Sequence, residues 1–96
     1  MLEKEIEKRL VNGIKKLGGR TYKFISPGNA GVPDRIVVLP NKKPIFVELK
    51  TEKGKLTKLQ KSQLKKLIDL GQRAEVLYGI DEVNWFLDLC KEMSKD

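Results

Sequence analysis

The sequence contains no histidine and only one cysteine, and both shortages narrow the chemistry open to the protein. Without histidine, mechanisms that need imidazole as a base or as a metal ligand are excluded, and with them the hydrolases that pair it with serine or cysteine. Cys90 alone cannot form a disulfide within the chain or build a cysteine-rich zinc site. No apolar run approaches the roughly 20 residues that cross a bilayer, and the start lacks a signal peptide, so we expect a cytoplasmic protein without a membrane partner.

Positive charge, by contrast, is in excess. Lysine and arginine number 20 against 13 aspartate and glutamate residues, which gives a formal net charge of +7. This balance favours a polyanionic partner such as nucleic acid, although lysine-rich surfaces often serve only solubility. The length of 96 residues suits one domain with a modest core, and we predict a single domain over residues 1–96.

The distribution of apolar residues in the first half predicts one helix followed by strands. Apolar residues recur at helical spacing from Leu2 to Leu17, and the glycines at 18 and 19 end this helix. Three β-rich segments follow, separated by a loop rich in proline and glycine and then by a short turn: 21–26, 34–39 and 44–50.

The second half predicts a helix, a strand and a last helix. Thr57 can cap a helix that ends near Leu70, a strand covers residues 73–79, and Asp81 can cap the last helix. The order α-β-β-β-α-β-α predicts an α/β fold with a mixed β-sheet flanked by helices. One side of the last helix reads as core: Val83, Phe86, Cys90 and Met93. Trp85 lies at the edge of this stripe, where it can serve the core or an interface, and we expect the core.

Charged residues interrupt the apolar strands at positions where aliphatic residues would favour folding. Side chains alternate along a strand, so Glu48 and Lys50 share a face. A register that pairs Ile36 with Phe46 sets Asp34 opposite Glu48, with Cβ atoms about 4.5–5.5 Å apart. Such carboxylates repel unless a proton or a cation lies between them, and a divalent metal is one solution. The structural alternative is an ion pair between Glu48 and Lys50 on an edge strand, with Asp34 forming a turn.

Polar residues also enter the apolar stripes of two helices. On a helical wheel, Glu7 lies within the stripe of the first helix, and Glu3 lies one turn nearer its end. In the second helix, Gln60 lies between apolar positions while the lysines face away. An unpaired buried charge costs several kcal/mol, a large part of the stability of a small domain. These intrusions therefore predict one shared polar pocket, at which folding rules yield to function.

Three segments resemble the VRR-NUC (viral replication and repair) nucleases of the PD-(D/E)xK superfamily: "GVPD", then "VELK" after a hairpin, then "GKLTKLQ". "IEKRLVNGIKKLGG" resembles the opening helix of this family and "KFISPGNAGVPDRIVVLP" its first hairpin arm, so the resemblance covers nearly the whole chain. It implies a restriction-endonuclease-like core in a standalone, phage-like form of the domain, acting in a bacterial or phage-infected cell.

The resemblance also implies a metal-dependent phosphodiesterase. Asp34 and Glu48 would bind Mg²⁺ or Mn²⁺ together with the main-chain carbonyl of Leu49. Lys50 would orient or activate the attacking water, and its ammonium could stabilise charge at the phosphorus. Gln60 matches the family glutamine and would position water or Lys50.

The remaining implied features concern the first helix and the substrate. Glu7 matches the opening-helix glutamate, an outer ligand or a ligand of a second metal, and Glu3 is the weaker candidate. The expected substrate is DNA, cleaved by structure, as in a branched or four-way junction, and the expected assembly is a homodimer. Basic residues that could hold phosphates are Arg35, Lys23, Lys53, Lys55 and Lys58. The alternative function is a non-catalytic, basic nucleic-acid-binding module on the same fold.

Overall fold

The computed structural model of the protein describes residues 2–95. Seven elements follow one another: α1 (Glu3–Lys16), β1 (Arg20–Lys23), β2 (Arg35–Val38), β3 (Ile45–Lys50), α2 (Lys58–Asp69), β4 (Arg73–Tyr78) and α3 (Gly79–Met93). This is the predicted order, and the α/β fold with a helix-flanked sheet is confirmed. Among residues 2–95, no helix is long and apolar enough to cross a membrane.

The four strands form one mixed sheet in the order β1-β2-β3-β4. β2 is antiparallel to both of its neighbours, and β3 is parallel to β4, with α2 as the crossover between them. Ile36 pairs with Phe46, which is the predicted register. β3 has a neighbour on each side, so the alternative that put Glu48 and Lys50 on an edge strand is wrong on that point.

One face of the sheet forms the apolar core, and α1 and α3 cover it. Along β3, the residues Ile45, Val47 and Leu49 belong to this core and are at most 2% exposed. α3 contributes the predicted core residues, with Met93 only partly buried: Val83, Phe86, Cys90 and Met93. Burial raises the pKa of the Cys90 thiol to about 11, which fits an inert core residue.

The opposite face of the sheet is covered less completely. Three apolar residues on this face are only half-buried: Ile36 in β2, Phe46 in β3 and Val76 in β4. α2 lies over this side and buries Leu64. Several large apolar side chains around this face remain exposed: Tyr22, Leu59, Ile68 and Leu70.

Helix ends agree with the sequence except at α3. The first two helices stop at the predicted glycines, since Gly18 and Gly71 have φ angles of 82° and 80°. α3 begins at Gly79, so Asp81 lies inside its first turn and does not cap it, contrary to the prediction. The backbone amide of Tyr78 instead donates to the carboxylate of Glu82 at 3.0 Å.

Trp85 corrects a second expectation about α3. Its side chain is 54% exposed, so it does not belong to the core. The buried positions Val83, Phe86 and Cys90 follow the three- and four-residue spacing of one helix face. Trp85 lies outside that face, and the apolar stripe on α3 is narrower than the sequence pattern indicates.

Candidate active site

Two carboxylates meet where β2 begins and β3 ends. Asp34 directly precedes β2, and continuing the β2–β3 register by one residue beyond the Arg35–Val47 pair sets it opposite Glu48. The backbone amide of Leu49 donates a hydrogen bond to Asp34 Oδ2 at 3.1 Å. This bond holds the exposed Asp34 side chain against β3, because its other end lies on the residue next to Glu48. The structure thus brings the two carboxylates together, as the sequence predicts.

Glu48 is a buried carboxyl group whose two oxygens have different surroundings. Its Oε2 accepts a hydrogen bond from Gln60 Nε2 at 3.2 Å and lies 3.8 Å from Lys50 Nζ. Its Oε1 is buried and has no hydrogen-bond partner among residues 2–95. A buried oxygen without a partner is costly in the ionised state, so Oε1 is available to a proton or to a cation.

The ionisation of Glu48 reflects this setting. Burial, and then the negative charge of Asp34, raise the pKa of Glu48 to about 7, while the ammonium of Lys50 opposes them. The two carboxyl groups also share a hydrogen bond when one is protonated. A proton or a metal ion between Asp34 and Glu48 would relieve the same repulsion, and the two compete for the site.

Lys50 is the last residue of β3 and lies on the Glu48 side of the sheet. Its side chain is 18% exposed, so the ammonium is partly withdrawn from water. The Glu48–Lys50 ion pair of the structural alternative is present, but at 3.8 Å it is loose. It also leaves Oε1 of Glu48 without a partner, so the ion pair alone does not account for the site.

Gln60 comes from the first turn of α2. Thr57 is the N-cap, as predicted: its hydroxyl accepts from the backbone amide of Gln60 at 3.1 Å. In return, Gln60 Oε1 accepts from the backbone amide of Thr57 at 2.9 Å. With Oε1 engaged in this capping box and Nε2 donating to Glu48, the amide of Gln60 is used at both ends. The structure brings Gln60 to Glu48, whereas the family resemblance implies a contact with water or Lys50.

Glu7 differs from its prediction. It is not buried, since its side chain is 43% exposed, and its carboxylate pairs with the guanidinium of Arg35. Arg35 is only 9% exposed and pairs in register with Val47 of the core, so this ion pair lies on the α1 side of β2. Glu48 is on the α2 side. Arg35 therefore anchors Glu7 and is not an exposed phosphate ligand, which corrects its predicted role.

A cleft still connects the first helix with Asp34. Its volume is about 260 Å³. The residues that line it include both predicted helix glutamates: Glu3, Glu7, Lys23, Phe24, Ile25, Asp34, Arg35 and Leu49. Glu3 is exposed there, and the structure does not bring it to Glu48. The four other predicted phosphate ligands are exposed: Lys23, Lys53, Lys55 and Lys58.

The donor set fits a hard divalent cation bound by few protein side chains. Within residues 2–95, no group of three histidine, cysteine, aspartate or glutamate side chains comes together as a metal cluster. The side chains therefore supply two carboxylates, Asp34 and Glu48, and the unpartnered Glu48 Oε1 offers a ready ligand. Mg²⁺ suits such a site, because it keeps several waters and takes one or two carboxylates.

Sequence reasoning missed two contacts at the site. The capping box links Thr57 to Glu48 through Gln60, and its signal was present in the sequence as a threonine followed three residues later by glutamine. The Glu7–Arg35 pair was missed because both residues were assigned separate roles toward ligands. Nothing in the sequence spacing alone indicates that they face each other.

Comparisons with known proteins show the family and the fold of the chain. The model of the VRR-NUC domain matches residues 2–81 of the chain. "Putative nuclease p44" of Acyrthosiphon pisum secondary endosymbiont phage 1 is 51% identical over 79 residues, which are 82% of this chain and 85% of that protein.

Two solved structures share the fold. One, a "VRR_NUC domain", has a TM-score of 0.84 and 26% identity and covers 90% of this chain and 94% of its own. The other, a "VRR_NUC domain protein", has a TM-score of 0.77 and covers 96% and 89%; at 22% identity it supports the fold alone.

The match to the VRR-NUC domain, together with a nuclease-named relative, defines the class as a nuclease domain. The chain belongs to the VRR-NUC family. It resembles the standalone phage-like form, because the matched relative is a phage protein covered over most of its length.

Proposed function

We propose that the chain is a divalent-metal-dependent endonuclease that hydrolyses phosphodiester bonds in DNA. The observation that carries this proposal is the buried Oε1 of Glu48, which has no partner among residues 2–95 and lies in a carboxyl group under repulsion from Asp34. A cation between the two carboxylates satisfies both conditions at once. In the alternative of a non-catalytic module, only a proton would satisfy this oxygen.

Asp34 and Glu48 are the proposed ligands of Mg²⁺ or Mn²⁺, with the main-chain carbonyl of Leu49 as a third. When bound, such an ion polarises the phosphate and stabilises the departing oxygen. The hydrogen bond from the Leu49 amide fixes one oxygen of Asp34, so that the other remains available. Gln60 and Lys50 act in the same way on Glu48, since both approach Oε2 and leave Oε1 free.

Lys50 is the proposed residue at the attacking water. Its ammonium lies on the same side of the sheet as the carboxylates and is only 18% exposed. From there it can orient the water by hydrogen bonding and stabilise negative charge that develops on the phosphoryl oxygens. Lys50 rather than histidine then supplies the positive group, which agrees with a chain that has no histidine.

DNA binding is proposed to rest on phosphate contacts. Lys23 lines the cleft beside Asp34, and Lys58 opens α2 two residues before Gln60. Lys53 and Lys55, in the connection between β3 and α2, add further exposed positive charge. Such contacts carry no base sequence, so we propose selectivity for DNA structure, with branched DNA as the substrate.

We also propose that the protein acts as a homodimer. Resolving a four-way junction needs cuts in two strands related by symmetry, and a twofold dimer supplies two equivalent pockets. Exposed Trp85 on α3 and the half-covered α2 side of the sheet both offer apolar surface for such pairing. Trp85→Ala should leave a monomer if α3 forms the interface, and light scattering measures this directly.

The test is cleavage of labelled branched and linear duplex DNA by purified protein, with Mg²⁺, with Mn²⁺ and with chelator. We expect metal-dependent cuts in the branched DNA at paired positions. If the protein binds DNA but cleaves it in neither Mg²⁺ nor Mn²⁺, the non-catalytic module is favoured. Equal cleavage of linear and branched DNA would remove the structure selectivity and leave the nuclease.

A further inference from the structure

The first turn of α2 connects the helix cap to the carboxylate of Glu48. Thr57 and Gln60 exchange two hydrogen bonds, of 2.9 and 3.1 Å, between side chains and backbone amides. The remaining end of the Gln60 amide donates to Glu48 Oε2 at 3.2 Å. The rotamer of Gln60 is therefore fixed by the cap, and its Nε2 has one defined direction.

This direction fixes the plane of the Glu48 carboxylate, and with it the position of the oxygen that is offered to a ligand. The terminal torsion of a carboxylate is broad, so the side chain itself does not fix this plane. Gln60 and Lys50 both lie at Oε2, and Oε1 remains buried with no partner in the described chain. Without the donor from Gln60, only the loose contact with Lys50 at 3.8 Å would hold the carboxylate in this orientation.

The loop that leads to Asp34 contacts the same turn. A Cβ atom on Gly31 would lie 2.6 Å from the carbonyl carbon of Leu59 and 2.9 Å from the backbone nitrogen of Gln60. Gly31 also has a φ of 90°, which other residues rarely adopt. The loop therefore packs main chain against main chain on the first turn of α2, three residues before Asp34.

We propose that Thr57 is a positioning residue for the nuclease site: its capping box with Gln60 holds the Glu48 carboxylate in the orientation in which Oε1 would be available to a bound metal. The inference rests on the proposed function, in which Glu48 is a metal ligand. Thr57 touches neither substrate nor metal and acts only through Gln60. The packing of Gly31 on the same turn ties the position of Asp34 to that of Gln60.

The test compares Thr57→Ala with Thr57→Ser, which keeps the hydroxyl, and with Ser62→Gly, which weakens α2 at an exposed position away from the cap. Thr57→Ala should lower the cleavage rate at saturating DNA and the affinity for Mn²⁺ by about tenfold, the usual loss when a residue that orients a metal ligand is removed. Thr57→Ser should restore both, and Ser62→Gly should leave both near the wild-type values.

A spectroscopic readout follows Gln60 directly. Gln60→Glu can still accept from the backbone amide of Thr57 but cannot donate to Glu48, so it assigns the side-chain amide resonances of Gln60 by their loss. In metal-free protein, these resonances should move toward random-coil positions in Thr57→Ala and remain in Thr57→Ser. Unchanged resonances in Thr57→Ala, or a loss of activity matched by Ser62→Gly, would overturn the positioning role.

These readouts separate the two proposals. A wild-type chain that cleaves no DNA with any divalent metal would remove the proposed function, while the Gln60 resonances would still report the coupling between cap and Glu48. Cleavage by the wild type with full activity in Thr57→Ala would keep the nuclease and remove the coupling.

Discussion

The two faces of the β-sheet place opposite demands on neighbouring residues of one strand. Val47 and Leu49 on β3 are buried among apolar side chains of α1 and α3 and need only close packing. Glu48, which lies between them in sequence, is equally buried but faces Asp34, Gln60 and an oxygen without a partner. The face that carries Val47 and Leu49, here called the core face, is explained by folding alone. The face that carries Glu48, here called the site face, is arranged at a cost to the stability of the fold, which is typical of functional sites.

The largest contrast between the faces should appear in activity. Asp34→Asn or Glu48→Gln should lower cleavage by roughly a thousandfold, because each removes a carboxylate ligand of the proposed metal, which stabilises charge at the reacting phosphate. DNA binding should largely survive, since the exposed lysines are untouched; fluorescence anisotropy and single-turnover cleavage measure the two quantities. Either variant cutting at the wild-type rate would refute the metal site.

A substitution in the core face should change the stability of the protein. Phe86 is 0% exposed on α3, and Phe86→Ala should lower the free energy of unfolding by about 3–5 kcal/mol, since it leaves a cavity in the core. The neighbouring Trp85→Ala is the matched control and should change the free energy of unfolding by only about 0.5 kcal/mol, in urea titrations at protein concentrations where the wild type and both variants are monomeric. Equal losses from the two variants would mean that Trp85 is packed more tightly than its exposure indicates.

In chelator, ionisation of Glu48 on the site face should lower the free energy of unfolding, to an extent that depends on pH. The pKa of Glu48 is raised from 4.5 to about 7, so the folded state binds more protons than the unfolded state between these values. Stability linked to Glu48 therefore falls as pH rises through this window, and the penalty is complete above pH 7. Glu48→Gln should remove it, giving a variant more stable than the wild type by on the order of 1–3 kcal/mol at pH 8 and equal to it below pH 4.5.

Thermal unfolding at several pH values with chelator gives this difference. A large loss of stability in Glu48→Gln at pH 8 would instead support a structural ion pair with Lys50 as the main role of Glu48. Adding Mn²⁺ should stabilise the wild type more than the variant, because the variant lacks one of the two charged ligands.

Much of the core face could be predicted from sequence, because its signal is periodic. The stripe of Ile6, Leu10 and Ile14 and the alternation along β3 both translate directly into burial. The errors fall at the margins of the stripes. Trp85 and Asp81 on α3 were misassigned because a wheel gives an angle but not the position of the neighbouring surface or the residue at which the helix begins.

The site face could be predicted only in part. Register and alternation brought Asp34 and Glu48 together, since both follow from strand geometry. The partners of Gln60 and Glu7 depend on where helices pack against the sheet, which no local pattern determines. Glu7 in particular lay inside the apolar stripe for a reason that the wheel could not give: it reaches a buried arginine rather than the carboxylates.

The smallest effect is expected for Glu7→Gln, which tests whether the first helix belongs to the nuclease site. Glu7 is 43% exposed and pairs with Arg35 on the α1 side, so Glu7→Gln should cost only about 1 kcal/mol of stability, mainly by leaving a buried guanidinium with a weaker partner. Glu3→Gln, on the same cleft but exposed, is the control and should leave the free energy of unfolding nearly unchanged.

The effect of Glu7→Gln on cleavage distinguishes two roles of Glu7. As an ion-pair partner, Glu7 affects Asp34 only through the strand that Arg35 begins, and cleavage should fall severalfold at most. As a ligand of a second metal, it would instead lose activity on the scale of Asp34→Asn and change the dependence of the rate on Mg²⁺ concentration. Parallel metal titrations of Glu7→Gln, Glu3→Gln and the wild type therefore decide whether the nuclease site ends at the sheet or extends to the first helix.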